Sequence, residues 1–368
     1  MRAVSKWSVV VVTTLIWVAR CHDFSLSEVI NRFKEVEAWA EAHPDSMTIK
    51  GSIDFRVPSY PQSFPVKIQA DKLAWLEGGI NMKEIEFAKI VRQYLETIDP
   101  KEVGVSRTCT AKETSVLKEK SQNIMDSDIC SELLYYKILQ VVWPVATNFI
   151  DIGCNRGFLA SSFLSLWGGN NLHISPLDLN RAIQKANAFP TNPHPHGVCK
   201  TGLNRGYPLY CPGGNREETG HCDHLNKDIR VVGIDGSTNT VAKVSKIIET
   251  DFGAAAGLRD VAISELFQYK HKAMSNTSGT AVFTIKDQGD EGSRIIKIGV
   301  PKKGRIPKYE VVPKVTVDDF LLNEESFFRG QTVDVLKIDA EDSDLEVCVC
   351  CELLLYPVVE WSVVCPFL

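Results

Sequence analysis

The sequence predicts an α/β protein whose core is a Rossmann-like, doubly wound parallel sheet, preceded by a helical N-terminal region. The first observation is the run Phe-Ile-Asp-Ile-Gly-Cys-Asn-Arg-Gly-Phe at 149–158, which follows hydrophobic residues and precedes apolar residues at helical spacing. This order indicates a strand, a glycine turn and a helix. The second observation is that three apolar stretches end in carboxylates, at Asp151, Asp235 and Asp339. Strands of this kind bind ligands at their carboxyl ends, so the three carboxylates are expected at one edge of the sheet.

The glycine turn is typical of a loop that holds a nucleotide-like group. Gly153 and Gly157 permit a sharp turn and a close approach of the ligand, and the amides of the following helix point toward it. The dinucleotide pattern GxGxxG fails because Asn155 stands where the middle glycine is required, which weakens NAD as the ligand. Asp151 would repel a pyrophosphate but can accept hydrogen bonds from an amino group or a water. The loop therefore suits S-adenosylmethionine, with a tight turn in another α/β protein as the alternative.

Composition and charge bound the class of protein. A chain of 368 residues with 44% hydrophobic residues can form one large or two small globular domains. The net charge of -5 and the pI near 6.0 provide no overall basic field. Nucleic acid is therefore disfavoured as a partner.

Residues 1–21 are interpreted as a signal peptide or a short signal anchor. An apolar run from Trp7 to Ala19 follows Arg2 and Lys6 and is shorter than the roughly 18 to 20 residues that span a bilayer. Cleavage is favoured, and the protein is expected in the secretory pathway, lumenal or secreted. A type II anchor that attaches the chain to the membrane stays open, as does a buried β-strand.

Cysteine usage agrees with export. The 11 cysteines are many for a reduced cytosolic chain, so disulfides are expected, although their pairing cannot be deduced from sequence. The sequon Asn276-Thr277-Ser278 predicts a glycoprotein if the chain enters the lumen.

The N-terminal region, 22–130, is predicted to be helical, with amphipathic helices at 26–42 and 83–98 and an irregular proline-containing stretch between them. A further helix is expected at 131–142, directly before the first strand. It begins the second domain, at 131–368. Because Ser237 and Thr238 are capping residue types, Asp235 has the alternative role of a helix cap, and the next helix is expected at 245–258.

The segment 176–226 is rich in Pro, Gly, His and Cys and is interpreted as an insertion. A disulfide-held loop beside the site is favoured, because the histidines and cysteines include no close CxxC pair that would indicate zinc. No metal is expected. The residues considered as zinc ligands are His194, His196, Cys199, Cys211, His221, Cys222 and His224.

Four stretches in order carry a family resemblance: 149–158, then Ala-Met-Ser-Asn-Thr-Ser-Gly-Thr-Ala-Val-Phe at 273–283, Val-Thr-Val-Asp-Asp-Phe at 315–320 and Asp-Val-Leu-Lys-Ile-Asp-Ala-Glu at 334–341. Over about 145–345 the chain resembles the FkbM family of S-adenosylmethionine-dependent methyltransferases. The resemblance implies a ribose carboxylate at Asp235, adenine contacts near Met274 and Ser275, and a methyl-transfer end at Asp339 and Glu341. It also implies a methionine-side loop formed by Asp151, Gly153, Cys154, Asn155 and Gly157.

The expected function is methylation of a hydroxyl oxygen on a glycan or small metabolite, with Asp339 or Glu341 holding the acceptor or drawing its proton. The alternative for Asp339 is a buried ion pair with Lys337 that ends the strand. The alternative for the whole protein is a non-catalytic lumenal binding or scaffold protein with the same fold.

Two departures from the family pattern favour that alternative. Asp342 stands where the family usually has glycine, and the chain after Leu345 is short, so about two strands of the usual sheet are expected to be missing. A C-terminally truncated sheet would expose apolar edge backbone, and this form is expected to be unstable or inactive.

Overall fold

A computed structural model describes residues 26–43, 53–55, 66–68, 82–97, 131–168, 176–189, 208–212, 222, 228–252, 263–285, 294–295, 308–324, 327–328, 331, 333–339 and 362–364. Its centre is a five-stranded sheet in which every neighbouring pair is parallel, with the strand order β11-β10-β3-β4-β5. The strands are β3 (Asn148–Ile152), β4 (Arg230–Asp235), β5 (Phe267–His271), β10 (Val335–Ile338) and β11 (Ser362–Val364). The sequence-based prediction of a doubly wound parallel sheet is confirmed.

The strand order reverses beside β3. The chain runs outward through β3, β4 and β5, and then returns to place β10 on the other side of β3. Ligands of open α/β sheets bind outside the carboxyl ends of the strands at such a reversal. Asp151, Asp235 and Asp339 lie at or directly after the ends of three of these strands. The architecture therefore places the three carboxylates at one edge.

Alternation of side chains along the strands gives the sheet two apolar faces. One face carries Phe149, Val231 and Phe267 and packs against most of the helices. These helices are α1 (Leu26–Ala42), α2 (Met82–Leu95), α3 (Ser131–Val142), α4 (Phe158–Trp167), α5 (Pro176–Lys185), α6 (Thr238–Ile247) with its π-helical continuation Ile248–Phe252, and α7 (Ile263–Leu266). The other face carries Ile150 and Ile234 and packs against α8 (Val317–Asn323).

A second sheet is inserted between β5 and β10. Its strand order is β6-β9-β7-β8, with β6 at Ala273–Met274, β7 at Gly279–Ile285, β8 at Arg294–Ile295 and β9 at Lys308–Val315. Strand β7 pairs antiparallel with β8 and β9. The residues Thr280-Ala281-Val282-Phe283-Thr284, whose β-branched and aromatic side chains predict a strand, form the interior of β7. The sheet begins directly after β5, so it is built next to the carboxyl edge of the central sheet.

The N-terminal helices are joined to the central domain by buried charged groups. Lys137 of α3 donates to both carboxylate oxygens of Glu84 in α2, at 2.8 Å each, and both side chains are almost fully buried. Arg32 of α1 donates to the Val142 carbonyl at the end of α3, at 2.7 Å. The region also contains a short antiparallel pair, β1 (Ile53–Phe55) and β2 (Val66–Ile68), so it is not wholly helical.

Two predicted boundaries differ from the structure. The segment that was expected to become irregular at residue 176 begins instead with helix α5, because Pro176 occupies its first turn, where its missing N–H costs nothing. The helix expected at 245–258 begins at Thr238, because the Ser237 side chain accepts a hydrogen bond from the Thr240 amide and caps it.

The disulfide-held segment packs against the opposite side of the central domain from the carboxyl edge. Cys211 and Cys222 form a disulfide, and the neighbouring Tyr210 exchanges two hydrogen bonds with the Gln140 amide of α3, at 2.8 and 3.1 Å. Gln140 lies two residues before the end of α3, where the chain turns toward the amino end of β3. The described start of the same 176–226 segment lies beside the glycine turn, because Leu179 Cδ2 lies 3.5 Å from the position of a Cβ at Gly157 and the Phe189 ring lies 5.0 Å from Arg156 Cζ. The expectation that the segment as a whole lies beside the site stays a prediction. Zinc candidates His194, His196, Cys199, His221 and His224 lie outside the described residues.

Within the described ranges, no helix has the length and apolar character required to cross a bilayer. The predicted signal segment, 1–21, lies outside those ranges, as do Glu341 and Asp342.

Candidate active site

The glycine turn between β3 and α4 has the left-handed backbone that its sequence predicts. Gly153, Asn155 and Gly157 have φ values of 76°, 49° and 79°. Glycine adopts such values without strain, whereas asparagine is one of the few other residues that tolerate them. A Cβ at Gly157 would also lie 3.1 Å from the Phe267 ring. The turn is therefore fixed by conformation at three positions and by close packing at one.

Most of the loop amides are bound within the protein. The amides of Gly153 and Cys154 donate to the Ile234 carbonyl at 2.9 and 3.0 Å, and the Gly157 amide donates to the Cys154 carbonyl at 2.8 Å. Helix α4 then starts at Phe158 with no capping side chain on its N-terminal amides. The first turn of α4 is thus the part of this loop best suited to bind a ligand carboxylate or another negative group.

A row of residues in register crosses the central sheet beneath this loop. Lys337 of β10 lies opposite Asp151 of β3, which lies opposite Gly233 of β4, which lies opposite Tyr269 of β5. Residues in register on parallel strands point to the same face. Under the glycine turn the row therefore presents an ammonium (Lys337), a carboxylate (Asp151), a position without a side chain (Gly233) and a phenol (Tyr269).

Asp151 is held inside the protein by Lys337. Its carboxylate is completely buried, and Oδ1 lies 3.0 Å from Lys337 Nζ. Burial raises the pKa of Asp151, and the neighbouring lysine ammonium opposes that rise. The structure thus directs Asp151 toward a buried ammonium of the protein. Contact with a cofactor ammonium through a water, as the sequence suggested, stays a prediction.

Lys337 also organises the end of β10. Its Nζ lies 3.4 Å from Asp339 Oδ2 and from the carbonyl oxygens of Ile152 and Gly153. The Asp339 amide donates to the Ile152 carbonyl at 3.0 Å. The Asp339 side chain remains 49% exposed, so it can contact a ligand while Lys337 holds it in place. The ion pair and the catalytic role that the sequence left as alternatives for Asp339 are therefore compatible.

Asp235 is bound to the loop that carries the glycines. Its Oδ2 accepts from the Asn155 amide at 3.1 Å, and its Oδ1 accepts from the Ser237 amide at 2.8 Å. Burial raises its pKa to about 6, and these two amide donors offset part of the rise. Each oxygen keeps a second lone pair with which it can accept a ribose hydroxyl. Asp235 therefore has the position and the acceptor capacity of a ribose carboxylate.

The two residues expected near adenine are buried. Met274 packs in the apolar cluster with Ile234 and Val317, and Ser275 donates its amide to the Val315 carbonyl at 3.0 Å. Both sit directly after β5, beside the carboxyl edge. Adenine contacts of Met274 and Ser275 stay a prediction.

Two residues near Asp235, His271 and Glu310, carried no sequence signal that singled them out. His271 is the last residue of β5 and lies in register with Asp235, and its Nε2 lies 3.0 Å from the Gly236 carbonyl oxygen and 3.1 Å from Thr238 Oγ1. Glu310 of β9 accepts from the Thr238 amide at 3.0 Å. Only the long-range pairing of strands brings them together, across about 70 residues of chain in the case of Glu310.

The inserted sheet packs on the turn that follows β4. A Cβ at Gly236 would lie 2.7 Å from the Phe283 ring of β7, so Phe283 covers Gly236 directly. Together with the bond from Thr238 to Glu310, this contact fixes β7 and β9 against the turn after β4. The inserted sheet therefore forms a wall of the candidate site.

Within the described ranges, no cluster of three or more His, Cys, Asp or Glu side chains has an arrangement that could hold a metal ion. The chemistry available to the described site is that of carboxylates, a lysine ammonium, a histidine and backbone amides.

Comparison with protein families matches residues 151–349 to the Methyltransferase FkbM domain. Comparisons with curated proteins and with solved structures found no match. The matched range is more than half of the chain, and it begins at Asp151 and contains Asp235 and Asp339. The resemblance of the four stretches is thus confirmed, and the chain belongs to the FkbM methyltransferase family.

Proposed function

We propose that the protein is an S-adenosylmethionine-dependent methyltransferase that acts on a hydroxyl oxygen. The observation that carries the proposal is the meeting of the glycine turn with Asp235 and Asp339 at one edge of the parallel sheet, in a chain of the FkbM family. The adenosine would bind at the ends of β4 and β5, with its ribose on Asp235. The methionine moiety would lie over the turn at 153–157, with its carboxylate at the start of α4.

The charge around the edge supports this ligand over a dinucleotide. The partly buried Asp235 and the half-exposed Asp339 are carboxylates at this edge, whereas the charge of the buried Asp151 is paired with Lys337. S-adenosylmethionine carries a sulfonium and an ammonium, which such a surface attracts, whereas a pyrophosphate would be repelled.

Asp339 is the proposed base, because its carboxylate is half exposed at the carboxyl edge and is held there by Lys337. In the proposed step the acceptor oxygen forms a bond to the methyl carbon, the bond from that carbon to sulfur breaks, and the hydroxyl proton passes to the Asp339 carboxylate. The products are a methyl ether and S-adenosylhomocysteine. Holding the acceptor in line with the sulfonium methyl supplies most of the rate, and proton removal adds to it. Glu341 lies outside the described residues and stays a candidate for the same role.

Cofactor binding is tested by calorimetry with S-adenosylmethionine. The expected result is binding by the wild type, loss of at least about tenfold in affinity for Asp235→Ala, and unchanged affinity for the control Asp251→Ala. Asp251 lies on the exposed π-helical turn and pairs with Lys185, so it removes a carboxylate away from the edge. A wild type that binds no cofactor would remove the proposal. Equal affinity of the wild type, Asp235→Ala and Asp251→Ala would also remove it.

Methyl transfer is tested with tritium-labelled cofactor and a panel of monosaccharides, oligosaccharides and small hydroxyl metabolites. For any accepted substrate, Asp339→Asn is expected to lower the rate by about a hundredfold or more while the affinity for S-adenosylmethionine changes little. The absence of transfer to every member, with cofactor binding intact, would favour the non-catalytic binding protein.

We also propose that the protein acts in the secretory pathway, lumenal or secreted. Support comes from the apolar run at 7–19, the disulfide between Cys211 and Cys222 and the exposed sequon asparagine Asn276. Expression in a eukaryotic cell should give a band that glycosidase treatment shifts, and Asn276→Gln should abolish the shift. Extraction of membranes with alkali then separates a secreted chain from a type II anchored one. A form found only in the cytosol with a reduced Cys211 would contradict this proposal.

A further inference from the structure

The backbone of Asn155 is held on both sides of its Cα, by two neighbouring strands. Its amide donates to Asp235 at the end of β4, and its carbonyl accepts from the Tyr269 hydroxyl on β5. Asn155 has a left-handed backbone, with φ 49°, which costs an asparagine little but is not its preferred state. The two hydrogen bonds therefore select this conformation over the ordinary ones.

Tyr269 reaches the loop because β4 has no side chain between them. Gly233 lies in register between Asp151 and Tyr269. A Cβ on Gly233 would lie 2.6 Å from Cys154 Sγ and 3.1 Å from Tyr269 Cδ2. The space above Gly233 is thus filled by the Cys154 thiol and the edge of the Tyr269 ring. A larger residue at 233 would push both away from the turn.

The Tyr269 phenol and the Cys154 thiol belong to buried residues. Tyr269 is 8% exposed and Cys154 is 5% exposed, and burial raises the pKa of each well above its ordinary value. Both groups are therefore neutral at physiological pH. A neutral phenol retains its proton, so the hydroxyl can act as a permanent donor to the Asn155 carbonyl.

We infer that Tyr269, admitted by the missing side chain at Gly233, is a positioning residue for the cofactor loop: its hydroxyl holds the left-handed backbone of Asn155, so that the Asn155 amide stays on Asp235. The inference rests on the proposed cofactor binding for its consequence, since it links the methionine-side loop to the ribose carboxylate. Tyr269 itself is buried beneath the loop and acts through Asn155.

Removal of the hydroxyl has a defined effect on the loop. In Tyr269→Phe the Asn155 carbonyl, which lies in the peptide after the Asn155 Cα, loses its buried donor, and a carbonyl without a partner favours rotation toward water. Asn155 can then leave its left-handed φ, and this change of φ turns the preceding peptide, with the Asn155 amide, away from Asp235. Asp235 then keeps only the Ser237 amide as donor, in the field of Asp151, Lys337, His271 and Glu310.

The experiment compares Tyr269→Phe with Tyr309→Phe, which removes a phenol hydroxyl from the half-exposed Tyr309 on β9. Hydrogen exchange of the Asn155 amide is measured in the unliganded proteins, followed by calorimetry with S-adenosylmethionine across a range of pH. For Tyr269→Phe we expect about tenfold faster exchange at Asn155, roughly three- to tenfold weaker cofactor binding and an upward shift in the pH midpoint of binding. Exchange in the interior of β3 should stay unchanged, and Tyr309→Phe should match the wild type.

A purely structural role for Tyr269 predicts a lower melting temperature without a change at Asn155 or in the pH midpoint, and that result would overturn the inference. If Tyr269→Phe fails to fold, Gly233→Ala displaces the same ring and is expected to give the same faster exchange at Asn155. Normal Asn155 exchange in folded Gly233→Ala would also overturn it. Because exchange is measured without cofactor, a wild type that binds no S-adenosylmethionine would refute the proposed function while the inference is still decided.

Discussion

Burial and hydrogen bonding set the ionisation of the carboxylates at the sheet edge. Asp151 is fully buried against Lys337, whereas Asp235 is partly buried and accepts hydrogen bonds from two neutral backbone amides. The same residue type therefore has two roles: Asp151 belongs to the internal framework, and Asp235 can change its charge near neutral pH. The sequence placed both at strand ends but could not separate their roles, because Lys337 arrives from β10, almost two hundred residues later.

Cofactor affinity should depend on the ionisation of Asp235. Its pKa is raised from 3.8 to about 6, and the ionised form is the better acceptor for ribose hydroxyls. Calorimetry should show affinity that is constant above about pH 7 and falls toward tenfold per unit below about pH 6. Asp235→Ala should bind weakly with no such dependence. An affinity that is flat through pH 6 in the wild type would show that Asp235 does not bind the ligand in its ionised form.

The same shift has the opposite effect on the unliganded protein. Because the folded pKa lies above the unfolded one, the contribution of Asp235 to stability is full below about pH 4 and is lost as the pH rises through about 6. Acid should therefore weaken cofactor binding, but protonation of Asp235 should not lower the free energy of unfolding of the unliganded protein.

Removal of the Lys337 charge should destabilise the fold. Lys337→Met leaves Asp151 as an uncompensated carboxylate in the core and should lower the free energy of unfolding by about 3 kcal/mol. Denaturant titration measures this change. The double variant Lys337→Met with Asp151→Leu should recover most of the lost stability, because neither residue of this pair then leaves a buried charge without its partner.

The matched control is Lys185→Met, since Lys185 pairs with Asp251 on the surface with 72% of its side chain exposed. That variant should unfold like the wild type. Equal stability of Lys337→Met and Lys185→Met would contradict the assigned role of the buried lysine.

At the scale of elements, apolar periodicity predicted the helices and strands whose positions depend on local sequence. Helices α1 and α3 have the bounds that apolar spacing indicated, and the three carboxylate-ended stretches became β3, β4 and β10. Local capping and turn chemistry was less visible: Pro176 was interpreted as a loop residue although it begins α5, and Ser237 was weighed as a cap without moving the start of α6. Pro176 lacks an amide N–H that would have no partner in the first turn of α5, and the Ser237 hydroxyl accepts from an amide in the first turn of α6. Helix propensity alone shows neither effect.

The inserted sheet could be predicted only in part. Strand β7 was recognised from its β-branched residues, but its partner β9 and the contacts of Phe283 and Glu310 with the turn after β4 were not. Pairing between distant strands is set by tertiary packing and register, which a single sequence does not specify. For the same reason the positions of Tyr269 and His271 in the site came only with the structure.

At the scale of the whole molecule, the disulfide and the N-terminal helices stabilise the side of the domain away from the cofactor edge. The bond between Cys211 and Cys222 closes a short loop, with a sequence separation of 11, beside Gln140 and Tyr210. Arg32 and Lys137 connect α1 and α2 to the same helix α3. The disulfide, Arg32 and Lys137 thus stabilise the elements around α3, whereas Lys337 stabilises the carboxyl edge of the sheet.

Loss of the disulfide should separate stability from cofactor affinity. Cys211→Ser with Cys222→Ser should lower the free energy of unfolding by about 3 kcal/mol, as loop-closure entropy predicts for a loop of this length. Affinity for S-adenosylmethionine, measured by calorimetry below the unfolding transition, should change less than about twofold. A large loss of affinity without loss of stability would place this loop at the site after all.

The central claim is that the cofactor binds where the glycine turn, Asp235 and Asp339 meet at the carboxyl edge of the parallel sheet. Its most direct test is a crystal structure of the protein with S-adenosylhomocysteine. The account predicts the ribose hydroxyls on Asp235, the adenine beside the turn after β5 and the homocysteine carboxylate at the start of α4, with the sulfur facing Asp339. A ligand bound at the amino ends of the strands, or an Asp235 carboxylate that touches no part of it, would contradict the claim.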